Sequence, residues 1–397
     1  MFLPVLLVRD YGIWGFVVFA VPNVVGAAAM GWFVTDREAS ERLVRAHSVA
    51  CSRFSIITIA FHAFFLLFLT GSWFSSKVAL AAIIVVFSLS FLARAFAPRN
   101  RVLGFTGIML LFSLAAACIL IATGSLSIPD SPSMNLVRIG PLGLVCGFGF
   151  LLCPYLDLTF HEARQATTPT SGKLAFAIGF GVFFFGMILL TFFYADFVSR
   201  ILARNVAPAS FVIAEWALAA HLIGQGILKG ILHTACAARE LDTLRTKPKV
   251  SIWWVIVSFV LFLLMLVQAW HGFPEQYAGL SMVEIIYRLF MSFYGLVFPA
   301  YVWLCMIPTW RDPLKPTRRH ITVWLGACAV AAPCYWMGLI ERVEWWLIPG
   351  LAVVLLARLL IPPASRGSTP PPAEPSPARV PVHSGPSELS AAATPAR

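Results

Sequence analysis

Apolar residues run in stretches of about 20 along most of the chain, with short polar or basic segments between them. That length is what ~30 Å of hydrocarbon demands of a helix rising ~1.5 Å per residue. Eleven such stretches are read, near 12–33, 47–71, 77–97, 102–123, 139–160, 173–196, 210–235, 251–271, 284–308, 320–340 and 343–361. Each is expected to be a helix, because lipid admits only helices or closed barrels and the alternation of barrel strands is missing. The expected fold is an all-α integral membrane protein of about 11 transmembrane helices, the membrane domain covering 10–361.

Within this pattern Ile139 to Glu162 stands apart. Its first half carries Gly140, Gly143, Gly147 and Gly149, and its second half Cys153-Pro154, Tyr155, Asp157, Thr159, His161 and Glu162. Pro154 has no backbone N–H and collides with the carbonyl four residues back, so the helix is expected to kink or open there. A loosened backbone at membrane depth must be covered by protein or water, and broken helices of this kind mark binding sites in transporters. Gly147, Gly149, Cys153 and Tyr155 are therefore candidate substrate contacts. The competing reading of Gly143 and Gly147 is a small-residue pair that lets two helices approach, and Gly179, Gly181 and Gly186 are read the same way.

Basic residues set the orientation. Loops after odd-numbered stretches hold Arg37, Arg42 and Arg45; Arg94, Arg99 and Arg101; Arg164 and Lys173; Arg239, Arg245, Lys247 and Lys249; and Arg311, Lys315, Arg318 and Arg319. The other loops hold only Lys77, Arg138, Arg200, Arg204 and Arg342. The first set is expected in the cytoplasm, which places the N-terminus outside and the C-terminus inside. A multi-pass protein of a cell membrane, the bacterial inner or plasma membrane, is expected, with the lipid bilayer as its partner.

Composition agrees: 59% of residues are hydrophobic and 12% charged, against about a quarter charged in soluble domains. The net charge of +11 is accounted for by the basic loops, so no nucleic-acid partner is inferred. The 8 cysteines form no CxxC pair and no metal spacing, and read as small buried residues. From Pro362 to Arg397 the chain is rich in Pro, Ser and Ala, which predicts a disordered cytoplasmic tail. Residues 1–9 are apolar but too short to span, since eight helical residues reach only about 12 Å. They are expected to be the stub of a helix that begins upstream.

With that helix counted, the chain resembles the LeuT-type fold of the amino acid–polyamine–organocation superfamily, which includes sodium:solute symporters. The resemblance rests on helix number and orientation, on the Gly-rich helix interrupted at Cys153-Pro154, and on Pro22-Asn23 and Gly26 in a span with a basic cytoplasmic end. It covers nearly the whole chain and is topological. It implies a secondary transporter that alternates access to a small solute held at midplane by a broken first and sixth helix. Here 139–160 takes the sixth place, and the coupling ion is Na+ or H+.

The stretch 210–235 carries His221, Gln225, Lys229 and His233 at every fourth position. Each step of four advances about 40° around a helix, so the four share one slowly winding face. Ionisable groups in a span are costly and point to a protein interior or a water-filled path. In the resemblance this helix helps to hold sodium through hydroxyl residues. None lies at the centre of this stripe, and a lysine amine stands in for sodium in some proton-coupled relatives, a place Lys229 fits. The alternative is that Lys229 and His233 snorkel to cytoplasmic water.

Asp157 and His161, four apart, are candidate coupling-ion ligands or gate residues. The alternative is an interfacial cap, because Thr159-x-x-Glu162 has capping-box spacing. Glu215 has no sequence partner and is a candidate outer gate. Glu284 and Arg288 read as a self-contained i,i+4 ion pair. Arg53 and His62 are polar groups in need of partners.

Two other function classes stay open. A membrane redox enzyme would need histidine clusters, and no HxxxH or HxxHH box is present, although His62 facing His221 could be imagined across a haem. A sensor or scaffold without transport is the third. No catalytic residue, metal site or resident cofactor is assigned.

Overall fold

The computed structural model describes residues 3–73, 99–129, 135–204, 212–243, 277–309 and 315–361. The expected spans 77–97 and 251–271 and the tail 362–397 lie outside the described residues. Among those described the architecture is all-α. Six helical stretches are long and apolar enough to cross a membrane: Leu3–Phe33, Arg37–Leu66, Val137–Leu156, Pro169–Arg200, Glu284–Met306 and Arg318–Leu339. Large apolar side chains such as Leu111, Ile121, Val182 and Leu359 point outward, as a surface solvated by lipid requires.

Helix α1 (Leu3–Phe33) runs through Pro22 but is sharply bent at Gly12, which has φ 61° and ψ −149°. That left-handed conformation suits glycine, which has no Cβ to clash. The residues before it, read as a separate stub, form a buried helical limb carrying Val5, Leu6, Leu7 and Val8. Asp36 opens α2 (Arg37–Trp73) by accepting the Ala39 N–H at 2.7 Å. That donation is the main cause holding its carboxyl below the usual carboxylate range.

After α3 (Arg99–Ala122), α4 (Leu136–Leu152) starts at the Asn135 cap and stops before Pro154. A tight 3-10 turn, Cys153–Leu156, intervenes before α5 (Leu158–Gln165). The expected interruption is therefore a true break. A Thr168–Ser171 capping box begins α6 (Pro169–Ile178), which passes through a widened π turn, Gly179–Phe184, into α7 (Phe185–Arg204). A Cβ at Gly179, Gly181 or Gly186 would meet nothing within 4 Å, so these glycines do not mediate helix packing among the described residues.

The long rod α8 (Ile213–Thr243) carries the polar stripe. A second interrupted rod follows: α9 (Met282–Ser292), a π turn Phe293–Val297, α10 (Phe298–Tyr301) and a second π turn Val302–Met306. Last come α11 (Arg318–Leu339) and α12 (Leu347–Leu356).

α1 packs along α4, and α2 along α8. The α1–α4 crossing depends on Gly26, where a Cβ would lie 2.8 Å from Leu151 Cα and closer still to the Phe150 carbonyl. At the end of the bundle that holds the α1–α2 and α5–α6 connections, Arg164 is fully buried. Its Nε donates to the Val34 carbonyl at 2.6 Å, its Nη2 to the Thr35 carbonyl and its Nη1 to Thr167 Oγ1 at 3.0 Å. One guanidinium thus ties the two connections together through backbone acceptors.

Two stability predictions follow from these contacts. Gly26→Ala overpacks the α1–α4 crossing and costs about 2 kcal/mol. Arg164→Met strands several buried carbonyls and costs about 3 kcal/mol. Arg164→Lys recovers little, because an ammonium does not reproduce the planar fork. Thermal unfolding of the purified chain in detergent reads all three, and an Arg164→Met protein as stable as the parent would refute the clamp.

Candidate functional site

The break between α4 and α5 leaves backbone that no helix satisfies. Its groups are taken up locally. The Cys153 N–H still reaches the Gly149 carbonyl, and the Asp157 N–H reaches the Pro154 carbonyl at 3.1 Å. Asp157 then caps α5, its Oδ1 accepting the Thr159 N–H at 2.8 Å and Thr159 Oγ1 at 2.7 Å. The cap is Asp157, two residues earlier than the expected Thr159. Glu162, released from capping, pairs with Arg239 of α8 at 2.9 Å. From the second interrupted rod, the Tyr294 carbonyl accepts the Cys153 thiol at 3.4 Å.

Beside this break lies a cavity of about 230 Å³. It is bounded by Leu3, Phe19 and Asn23 of α1, by Phe54, Thr58, Phe61 and His62 of α2, and by Cys153, Pro154 and Asp157. Gln225, Lys229 and His233 of α8 and Tyr287, Met291 and Tyr294 complete it. Phenylalanine and tyrosine rings make up much of the wall. An apolar pocket with a few convergent polar groups is the usual form of a small-molecule site.

Most of those polar groups have partners. Thr58 Oγ1 and Tyr294 Oη lie 2.7 Å apart. His62 Nδ1 lies 2.7 Å from the Thr58 carbonyl. That carbonyl can only accept, so Nδ1 carries the proton. The His62 ring stacks on His233, centroids 6.5 Å apart with 29° between planes. His233 Nδ1 sits 3.7 Å from Asp157 Oδ1 and is buried without a hydrogen bond. Gln225 Nε2 donates to Ser113 Oγ at 2.8 Å.

Of the residues predicted as site residues, Cys153, Asp157, Gln225 and Lys229 face this cavity. The others are placed elsewhere. Gly149 is a packing contact, since a Cβ there would run into the Tyr294 carbonyl. It lines a smaller neighbouring cavity of about 70 Å³. Gly147 lines neither cavity, and a Cβ there would meet nothing within 4 Å. Tyr155 packs edge-on against Phe33 at 6.5 Å.

His161 does not join Asp157 on a shared cavity face. Its Nδ1 meets Ser40 Oγ at 2.8 Å and its Nε2 the Tyr155 carbonyl at 3.0 Å. It is a buried structural link from α5 to α2. Glu215 accepts the Val212 N–H at 3.0 Å and so caps the start of its own helix. His221 packs against Tyr194 at 6.0 Å, away from the cavity and from His62.

Asn23, Thr58 and Tyr294 were not singled out as site residues. His233 was visible in the stripe, and His62 as a lone polar group. Thr58 and Tyr294 carry no charge and sit in apolar runs, so nothing in their spacing marks them.

At the end of the bundle opposite Arg164, ion pairs gather. Arg9 pairs with Glu284 at 2.7 Å, and Arg288 with Asp10 at 2.5 Å and Glu284 at 2.8 Å. The expected Glu284–Arg288 pair is thus part of a four-residue network that joins the Gly12 bend to α9. Next to it, Glu344 accepts Tyr11 Oη at 2.6 Å and Arg138 Nη2 at 2.7 Å. Among the described residues no group of three or more His, Cys, Asp or Glu side chains is arranged to hold a metal ion.

Helix length and hydropathy make the chain a polytopic, all-α membrane protein. Comparison with protein-family models, with curated proteins and with solved structures finds no match to it.

The His161 link has a pH signature. Burial is the main cause that pushes its imidazole below the ordinary range for histidine, against weaker raising effects from the Tyr155 carbonyl and Asp157. In the unfolded chain it titrates near ~6.5. As pH falls below that value the unfolded state takes up a proton that the folded state refuses, so stability drops with falling pH. Between about pH 7 and pH 5 the melting temperature is expected to fall, and His161→Gln is expected to flatten that part of the profile. An unchanged slope in the variant would remove His161 from the account.

Proposed function

We propose that the chain is a secondary transporter that moves a small solute by alternating access, coupled to H+ or Na+, with LeuT-like roles for the broken α4–α5 segment and for α8. The observation that carries this reading is the cavity at the helix break, faced by ionisable side chains midway along two long rods, α2 and α8. Buried ionisable groups at membrane depth are expensive and persist where function uses them. Discontinuous helices at such a site are the usual architecture of solute binding in transporters.

The layers beyond the cavity suit alternating access. On the expected outer side the Arg9, Asp10, Glu284 and Arg288 network joins α1 to α9. On the expected inner side α5 is held by Glu162–Arg239, His161–Ser40 and Arg164. Opening each layer in turn exposes the cavity to one face at a time. The joints available are the Gly12 bend, the α4–α5 break and the π turns at Phe293–Val297 and Val302–Met306, since π turns often lie at functional sites. Asp157, His233 and Lys229 are the groups that couple solute movement to an ion.

Reconstitution into proteoliposomes tests this. A panel of labelled amino acids, carboxylates, amines and sugars is offered under an inward proton or sodium gradient. Gradient-dependent uptake of at least one solute is expected. Asp157→Asn is expected to lower it by about tenfold or more, and Glu215→Gln to leave it near the parent rate. Absence of uptake across the panel under both gradients would sink the transporter reading.

A further inference from the structure

We infer that the cavity at the helix break is a binding site for a small carboxylate with an aromatic or bulky apolar body, the carboxylate meeting Lys229 and Asn23. The inference rests on the reading of this cavity as a solute site and specifies what the site takes.

The argument is an accounting of charge and hydrogen-bonding capacity. Two side chains with a full formal charge face the cavity, Asp157 and Lys229. Asp157 is already compensated: its Oδ1 accepts two hydrogen bonds from Thr159, and it sits at the N-terminus of α5, where the helix dipole favours a negative charge. Lys229 is less well served: Asp157 is the carboxylate that attracts it, but forms no ion pair with it and is already engaged by Thr159. Among the described residues no carboxylate lies within ion-pair distance of its ammonium, and no acceptor is hydrogen-bonded to it. The two apolar stretches outside the described residues, 77–97 and 251–271, contain no acidic residue. An ammonium facing a cavity lined by many aromatic rings calls for an anion.

The neutral polar groups point the same way. Thr58 and Tyr294 are engaged with each other, His62 with the Thr58 carbonyl, and Gln225 Nε2 with Ser113. Asn23 faces the cavity, and its amide has no hydrogen bond among the described residues. Apart from His233 Nδ1, which lies 3.7 Å from Asp157, the uncommitted side-chain donors among the described residues of the wall are those of Lys229 from α8 and Asn23 from α1. A carboxylate, acceptor on both oxygens, matches that pair. The remainder of the wall, with Phe19, Phe54, Phe61 and Phe150, offers ring faces and edges to an apolar body.

The test uses the full chain in detergent or nanodiscs and three isosteric probes: phenylacetate, phenylacetamide and 2-phenylethylamine. Phenylacetate at millimolar concentration is expected to raise the melting temperature and to bind about tenfold more tightly than the neutral amide, the loss expected for one charge-assisted contact. Lys229→Met is expected to erase that preference, and Lys229→Arg to restore part of it. The melting temperature of each variant without probe shows whether it is folded, and Asn23→Leu provides a second variant that weakens phenylacetate while leaving the charge in place.

Equal binding of acid and amide, preference for the amine, no response to phenylacetate, or an acid preference that survives Lys229→Met in the folded protein would each overturn the inference. Uptake of labelled phenylacetate by proteoliposomes separates it from the transport reading. Lys229-dependent binding without uptake keeps the ligand class and removes transport. Gradient-driven uptake of another solute, with no Lys229-dependent acid preference, does the reverse.

Discussion

A proline near the end of a helix long and apolar enough to cross a membrane sets the central constraint of this structure. The lost N–H of Pro154 and the displaced carbonyls before it must be satisfied where water is scarce, because an unpaired backbone group there costs several kcal/mol. The chain meets that demand with a tight turn at Cys153–Leu156, a fresh helix capped by Asp157, and an approach by the Tyr294 segment that covers the opening. The cavity follows from the same event. Two helical segments that do not continue through one another leave a space that α2 and α8 border but do not fill.

What surrounds the break is organised by charge. Carboxylates and guanidinium groups that would be prohibitive in lipid are gathered into two layers near the ends of the bundle, each with its partners inside the protein. Glu284 and Asp10 are matched by Arg9 and Arg288, Glu344 by Arg138, and Glu162 by Arg239. Arg164 is satisfied without a carboxylate in hydrogen-bonding contact, by carbonyl oxygens of two connections. Between these layers the polar groups are sparser, and Lys229 faces the cavity with Asp157 nearby but without an ion pair or hydrogen bond among the described residues.

The strongest local signals in the sequence were the ones the fold obeyed. Gly-rich apolar sequence followed by Cys153-Pro154 meant a helix that must open, and it opens there. The fourfold spacing of Gln225, Lys229 and His233 meant one helix face, and all three face one cavity. His221 shows where that logic stops. It begins the same stripe, but three steps of about 40° separate it from His233, far enough for a different neighbour, Tyr194, to meet it. His161 and Glu215 were polar groups without visible partners in sequence. The partners are Ser40 and the Tyr155 carbonyl for one and a backbone N–H for the other. Backbone acceptors and distant hydroxyl groups leave no trace in a residue-type pattern.

By itself the sequence determined that this is a multi-pass helical membrane protein and that one of its helices breaks at Pro154. Those properties depend on hydrocarbon thickness, helix period and proline chemistry, all of which act over a few residues or a single span. Tertiary structure decided which polar groups meet. It buried the limb before Gly12, joined Arg9 and Asp10 to a helix more than 270 residues away, brought Asn23 and Lys229 to the wall of one cavity, and turned Gly149 into a contact for a backbone carbonyl. Such meetings depend on how rods with equally apolar surfaces pack, and lipid supplies no hydrophobic preference for one pairing over another. Only the packed arrangement, with its close glycine crossings and its matched ion pairs, selects them.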